Sequence, residues 1–389
     1  MDIQIANEKA TEVLRLASHP MGFLASAVGK DNYQRIWARD GVITGLAALA
    51  SRDLDLIATF KATLETLGAH ISPQGHVPSN VDINSGDVSY GGLAGRADTG
   101  SWWIIGMCLY SKYTGDRSLL VKYKSEIQGI HDLYQAWEYN NKNLIYVPLA
   151  GDWADEYILS GYVLYDQVLR FASLKLSSEA FENATWALKA ENVHTSIRDN
   201  FDLSKGSNLA GIHPSAKKKE LEKGSITYLP ASFNPAGYQN YFDALGNALA
   251  IIFRIHPNAH ACLDWVESKQ LNPLPAFYPT IFPENPDFHL LKQNFRFEFR
   301  NHPHEFHNGG IWPMVNGFWG MASLLIKGKQ EAEQVLDRII GLNSLENWDF
   351  NECFHGISSL PCGVKACTWS AAGQLLLSYS IYKGFYLID

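Results

Sequence analysis

Four short segments concentrate the side chains able to do chemistry. Ala150-Gly-Asp152-Trp153-Ala-Asp155-Glu156 sets clustered carboxylates and a tryptophan at the end of the apolar run Leu144-Ile-Tyr-Val-Pro. Asn351-Glu352-Cys-Phe-His355 places an acid among Trp348, Phe350 and Phe354, an apolar setting that can raise a carboxyl pKa and order a water. Cleaving a glycosidic bond takes two such groups: a carboxylic acid that protonates the leaving oxygen, and a carboxylate on the other side of the ring that handles water or the anomeric carbon. Asp and Glu at the start of a helix also serve as caps, so Asp152, Asp155 and Glu156 remain alternatives at this point. Trp37-Ala-Arg39-Asp40 offers a planar donor fork beside an acceptor, suited to vicinal hydroxyls. His307-Asn308-Gly309-Gly310-Ile-Trp312-Pro313 combines two glycines, which let backbone approach a ligand closely, with polar and aromatic contacts; helix capping by Asn308 is its structural alternative.

The composition fits this chemistry. Of 389 residues 46% are apolar and 19% charged, and the net charge of -8 argues against a surface that tracks phosphates, so nucleic acid is not an expected partner. Trp 11, Tyr 18 and Phe 19 supply rings that stack on pyranose faces. Cys108, Cys262, Cys353, Cys362 and Cys367 have neither zinc spacing nor a disulfide framework, which suits a reducing compartment. His302, His304 and His307 surround Glu305 but lack the i, i+4 spacing of a helix-borne metal site, and no metal is expected. The start of the chain lacks a basic and apolar leader pattern, and no run is long enough to span a membrane, so a soluble, cytoplasmic protein is expected. A homo-oligomer is compatible with all of this.

The elements that must position these groups are helices. Leu54, Ile57, Phe60, Leu64 and Leu67 recur at threes and fours, as do Leu119, Tyr123, Ile127, Ile130, Tyr134 and Trp137. The periodicity predicts helices near 5–18, 39–51, 53–69, 98–114, 117–138, 160–176, 178–200, 241–255, 259–269, 310–326, 328–342 and 367–384. Long connections, 70–97, 139–159, 201–240, 270–309 and 343–366, alternate with short ones. They are rich in Gly, Pro, Asn, His and aromatics, as loops gathered over a pocket would be. The run from Lys217 to Lys223 reads as a solvated loop. No low-complexity linker divides residues 1–389, so a single domain is expected.

In their order, Trp37-Ala-Arg39-Asp40, Gly95-Arg96-Ala-Asp98-Thr-Gly-Ser-Trp102-Trp103, Phe242-Asp-Ala-Leu-Gly246-Asn247 and His307-Asn-Gly-Gly-Ile-Trp312-Pro313 resemble the motif set of the neutral/alkaline invertases. More loosely, they resemble the wider group of (α/α)6 glycosidases that includes glucoamylases and processing α-glucosidases. The resemblance implies an all-α (α/α)6 toroid, with long loops forming a pocket at one end. It implies that Trp37, Arg39 and Asp40 bind the glucosyl unit. Trp153-Ala-Asp155-Glu156 resembles the glucoamylase Trp-Glu-Glu element, which makes Asp155 the acid rather than Asp152 or Glu156. The Glu352 segment resembles the one that supplies the general base. The invertases carry Asp-Arg-Arg-Met where this chain has Asp155-Glu-Tyr-Ile, so the leaving-group side differs.

The expected activity is therefore inverting hydrolysis of an α-glucosyl unit from a small saccharide, sucrose or a short α-glucoside. Asp155 and Glu352 would be catalytic, and Trp37, Arg39, Asp40, Arg96, Trp153, His307, Asn308 and Trp312 would bind substrate. No cofactor is needed, because both halves of the reaction are proton transfers. Asp98 is expected to cap the helix that follows it. An inverting pair should stand roughly 6.5–9.5 Å apart. Three rivals exist: an (α/α)6 sugar epimerase or isomerase using His76, His307 and His355; an α-glucosidase of the debranching or glucosylglycerate type; and a non-catalytic sugar-binding toroid.

Overall fold

A computed structural model describes residues 2–29, 31–295 and 297–388. Twelve helices build the frame: α1 (Ile3–Leu16), α2 (Ala38–Ser51), α3 (Leu54–Gly68), α4 (Thr99–Thr114), α5 (Lys124–Ala136), α6 (Leu164–Phe181), α7 (Ala184–Phe201), α8 (Ala244–Ile252), α9 (Ala259–Ser268), α10 (Pro313–Ile326), α11 (Lys329–Asn343) and α12 (Thr368–Lys383). The even-numbered helices pack in the cyclic order α2, α4, α6, α8, α10, α12 and back to α2, a closed inner ring, and the odd-numbered ones lie outside it. This is the (α/α)6 toroid.

Burial explains which helix goes where. In α4 every residue from Thr99 to Ser111 is buried, and in α12 every residue from Thr368 to Ser380, as expected for helices covered on all sides. By contrast α1 buries Ala6, Ala10, Val13 and Leu14, and α3 buries Leu56, Phe60, Leu64 and Leu67 among others, the one-sided stripe of an outer helix. Close approach of inner helices needs small residues: a Cβ on Gly373 of α12 would stand 2.7 Å from the Met314 Cα of α10.

Inner helices run into outer ones through tight turns. Arg52 adopts φ 63 and Asp53 then caps α3, accepting from the Asp55 and Leu56 amides. Glu182 adopts φ 51 and Asn183 caps α7 in the same way. The return connections, 17–37, 69–98, 137–163, 202–243, 269–312 and 344–367, are long and each enters an inner helix at its N-terminus. All six therefore open at one end of the toroid, and the first turns of the inner helices form the floor beneath them.

Some expectations are corrected. The helix expected over 117–138 is two, Ser118–Lys122 and Lys124–Ala136, broken at Tyr123, whose ring lies edge-on to Trp103 with centroids 5.5 Å apart. The break expected near 177 falls at 182–183, because the Ser177 hydroxyl bonds back to the Ser173 carbonyl and stays helical. The run at Lys217 is not a solvated loop. It belongs to a helix, Pro214–Lys223, with Lys217 and Glu220 buried; the ammonium of Lys217 donates to the Asp199 carbonyl at 2.6 Å and Glu220 accepts from Asn240 at 2.6 Å. The long loops also carry short antiparallel strands, among them Tyr162–Val163, Pro230–Asn234, Gly237–Asp243 and Phe277–Tyr278 in one sheet. No helix among the described residues is long and apolar enough to cross a membrane.

Candidate active site

Glu352 is 6% exposed and sits between two donors. The Tyr33 hydroxyl donates to its Oε1 at 2.8 Å and the Val364 amide to its Oε2 at 3.2 Å. Its backbone amide donates to the Val364 carbonyl at 2.8 Å, tying the acid into the hairpin of Cys353–Phe354 and Pro361–Cys362. Gly363, at φ 75, allows the tuck, because a Cβ there would land on the Glu352 carboxylate. Upstream, Trp348 and Phe350 stack at 5.9 Å and hold left-handed backbone, φ 69 and 45, strain of the kind that marks functional loops. Burial, reinforced by the negative charges of Asp40 and Asp155, raises the Glu352 carboxyl to about 7 against the pull of its two donors.

Asp155 differs. Its side chain is 41% exposed and Arg96 Nη2 grips it at 2.6 Å. The second nitrogen of that guanidinium donates to the Ala150 carbonyl at 2.6 Å, the Ala97 amide to Gly151 at 2.8 Å, and Arg39 Nη2 to Asp152 at 3.3 Å. Asn301 Nδ2 holds the Glu156 carbonyl at 3.0 Å. Beneath, Trp153 and Tyr157 both stack on Phe277 of the four-stranded sheet, at 5.8 and 4.3 Å. Four segments thus fix the position of one loop.

Beside the Asp155 loop lies an aromatic box in which several polar atoms are unpartnered; the Trp312 indole N–H is satisfied, donating to the Phe306 carbonyl at 3.0 Å. His307 stacks on Trp312 at 4.9 Å and meets Trp153 edge-on at 5.0 Å; neither ring nitrogen has a hydrogen-bond partner, and burial lowers its pKa to about 4, so the imidazole is neutral. The indole N–H groups of Trp153 and Trp369 are likewise buried and unpartnered, and Trp369 lies 5.6 Å from Trp312. Buried donors without partners cost about 1–3 kcal/mol each, a cost that ligand hydroxyls would relieve. Asp40, buried in the first turn of α2, is raised by burial to about 6 although Arg39 opposes the shift. It caps nothing: the α2 N-cap is Trp37 and makes no side-chain cap bond.

Below the box lies a second set of acids, Asp98, Asp152, Asp166 and Asp243, all within 1% of full burial. Asp98 takes no cap bond from α4; its Oδ2 accepts from Arg39 Nε at 2.7 Å and from the Tyr165 hydroxyl at 2.9 Å, so it aims the guanidinium. Asp243 is the one that caps, accepting from the Gly246 amide at 3.0 Å, and burial raises it to about 7. Both oxygens of Asp166 and one of Asp152 lack partners. Burial, with the charges of Asp98 and Asp243 added for both and that of Asp152 for Asp166, holds both carboxyls well above the usual range, so they are protonated at neutral pH.

Of the residues expected at the site, Arg39, Asp40, Arg96, Trp153, Asp155, His307, Trp312 and Glu352 come together here. Trp37 stands half-buried at the edge and donates its indole N–H to the Asn32 carbonyl at 2.9 Å. Asn308 is a correction: it neither caps α10 nor faces the box. Its amide accepts from the Ile281 amide at 2.7 Å and donates to the Ile281 and Asn301 carbonyls, which uses both its N–H donors. His76 bonds Ser72, and His355 accepts from the Ile357 and Ser358 amides, so neither joins His307. Among the described residues no group of three His, Cys, Asp or Glu is placed to hold a metal. Tyr33, Trp369, Asp166 and Asp243 have no expected role in the sequence, although Asp40, Trp369, Asp166 and Asp243 share one signal, a place at the start of an inner helix.

Residues 214–383 match the alkaline and neutral invertase family. The chain is 24% identical to alkaline/neutral invertase E, chloroplastic, of Arabidopsis thaliana, covering 89% of this chain and 65% of that one. It is 24% identical to neutral/alkaline invertase 3, chloroplastic, of Oryza sativa subsp. japonica, over 97% and 73%. It spans about two thirds of the length of these relatives. Among solved structures, the GH63 mannosylglycerate hydrolase from Thermus thermophilus superposes with a TM-score of 0.69 at 12% identity, over 96% of this chain and 99% of that one. A bacterial glucoamylase complexed with acarbose gives 0.67 at 16% identity, over 98% and 56%. The chain is thus similar in sequence to neutral/alkaline invertases and shares the (α/α)6 fold with glycosidases of other families.

Proposed function

We propose that this chain is an inverting glycoside hydrolase that releases an α-glucosyl unit from a small saccharide, sucrose or a short α-glucoside. One observation carries the reading: two carboxyls on separate loops, Asp155 close enough for its charge to act on Glu352, accompany a box of buried aromatic rings in which the Trp153 and Trp369 N–H groups and both His307 ring nitrogens have no protein partner. Pyranose faces would stack on Trp153, Trp312 and Trp369 while hydroxyls meet the indole and imidazole nitrogens and the Asp40 carboxylate. Arg39, pinned by Asp98, presents its remaining N–H groups to the same ring. That the unit is an α-glucosyl group rests on the invertase resemblance.

In the reaction, Glu352 takes a proton from a water that attacks the anomeric carbon, and Asp155 gives a proton to the departing oxygen on the opposite face. Tyr33 and Val364 occupy one lone pair on each Glu352 oxygen, which leaves the others to orient the water. The 2.6 Å contact of Arg96 with Asp155 then corresponds to the state after donation, when the acid is an anion. Both groups return to their starting protonation by exchange with solvent. The first product is β-glucose, observable by NMR before mutarotation; α-glucose first would overturn the inverting mechanism.

One observation favours the opposite division of labour: the carboxyl held up near 7 is Glu352, while Asp155 is paired with a guanidinium. α-Glucosyl fluoride separates the two assignments, because fluoride leaves without a proton. If Asp155 is the acid, Asp155→Asn retains hydrolysis of the fluoride and Glu352→Gln loses it. The reverse pattern exchanges the roles.

A further inference from the structure

Three of the five cysteines fall within fifteen residues of one another around Glu352, and two of these are opposed across the hairpin that holds it. Cys353 and Cys362 are direct partners in the antiparallel pairing of Cys353–Phe354 with Pro361–Cys362. Directly opposed residues in such a ladder have Cα atoms about 4.5–5.5 Å apart, inside the roughly 4.4–6.8 Å that a disulfide spans. The two thiols face each other closely enough to shift one another's acidity, and the Cys362 S–H donates to the Leu360 carbonyl at 3.7 Å. Cys353 is buried behind the acid, whereas Cys362 is half-buried on the outer strand and reachable from solvent. The contact from Cys353 lowers the Cys362 pKa and favours its thiolate, while burial pushes Cys353 well up, so the two thiols differ in reactivity. All five cysteines are free thiols in this structure.

We infer that Cys353 and Cys362 form a reversible thiol–disulfide modification site, and that closing it displaces Glu352. The oxidant is a small disulfide such as glutathione disulfide. The Cys362 thiolate attacks one of its sulfurs, breaking that S–S bond and releasing one small thiolate. Cys353 then loses its proton and attacks the Cys362 sulfur of the mixed disulfide; the protein S–S bond forms and the second small thiolate leaves. Two electrons pass from the protein to the small disulfide, and the two protons end on the two released thiols. Bond formation draws the Cβ atoms together and twists a hairpin of two short strands. Glu352, adjacent to Cys353 and pressed against Gly363 adjacent to Cys362, has no slack in which to stay put.

This inference rests on the hydrolase reading only for its activity readout. The test incubates the whole protein with glutathione disulfide and follows intact mass, disulfide-mapped peptides and hydrolysis in parallel. The expected result is loss of two hydrogens with no retained adduct, a Cys353–Cys362 cross-link, and roughly a tenfold to hundredfold drop in turnover, restored by dithiothreitol. Cys362→Ser should keep its basal activity and resist the oxidant. Cys353→Ser should trap glutathione on Cys362. A cross-link to Cys367, a stable adduct on the wild-type chain, an unchanged mass, or a disulfide that leaves turnover intact would each overturn the inference. If no glycoside is hydrolysed at all, the mass readout still decides whether the disulfide forms, and the hydrolase reading fails separately.

Discussion

Asp152 and Asp155 lie three residues apart on one loop and have opposite environments. Asp152 is buried, has an unpartnered oxygen and is held protonated; Asp155 is 41% exposed and paired with Arg96. A search for the most perturbed carboxyl would select Asp152, or Asp166 beneath it. Both are sealed from solvent, and Asp152 uses its other oxygen to accept from the Ala154 amide at 3.1 Å, shaping the turn that carries Asp155. Depth perturbs a carboxyl strongly but also hides it. In the proposed mechanism the acid must combine access with a partner able to accept the change in its charge, and for Asp155 that partner would be Arg96.

Variants of the proposed pair should show the largest effects. Glu352→Gln and Asp155→Asn are expected to retain the fold, judged by circular dichroism, and to lower kcat on an α-glucoside roughly 10²–10⁴-fold. Asp152→Asn is the sharper comparison: it should leave substantially more turnover than Asp155→Asn, and a larger loss at 152 would transfer the acid role there. Next comes pH. A base must be ionised, and the Glu352 carboxyl is raised to about 7, so if Glu352 is the base kcat/KM should climb as pH rises through that value. A profile already flat from pH 5 would break the assignment. Arg39→Lys should mainly raise KM, by roughly tenfold, because a point charge cannot reproduce a fork aimed by Asp98.

The smallest effect concerns the deep acids. A carboxyl whose folded pKa is raised carries no penalty below its unfolded value; as pH rises through that value the unfolded chain ionises first, and stability is lost until the folded pKa is passed. Asp166 is raised well above its ordinary value, so Asp166→Asn should increase Tm at pH 8, by about 2 °C, and leave it nearly unchanged at pH 4. Differential scanning at the two pH values checks the sign. Equal shifts would mean that packing, rather than ionisation, is what changed.

The toroid was legible because its helices carry their position in their pattern. The stripe of α3 marks an outer helix, and long connections alternate with short ones from Arg52 to Lys327. Boundaries were harder where no breaker residue stands: nothing in Ser177-Ser178 says that the helix continues to Phe181. The helix at Lys217 was hidden by its charges, which read as solvated until Asp199 and Asn240 are seen to take them up. Within the site, motif residues were readable, but partners from distant segments were not. Tyr33 and Glu352 are separated by most of the chain and met only through the ring. Asn308 misled because a side-chain amide beside two glycines suits a ligand as well as it suits the two backbone strands it clasps.

The closure of the inner ring has a consequence for how the chain reaches its native state. Each helix pair is a local structure, made from neighbours in sequence, and can form quickly. The seam of α12 with α2 is different: Thr368 donates its amide to the Ala25 carbonyl and its hydroxyl to the Leu24 carbonyl, joining the two ends of the ring. Joining such distant segments carries the largest loop-closure entropy and should set the folding rate. Because Glu352 and Tyr33 come from the two sides of that same seam, catalytic competence should appear in refolding experiments only in the slowest phase, after most of the helical signal has been recovered.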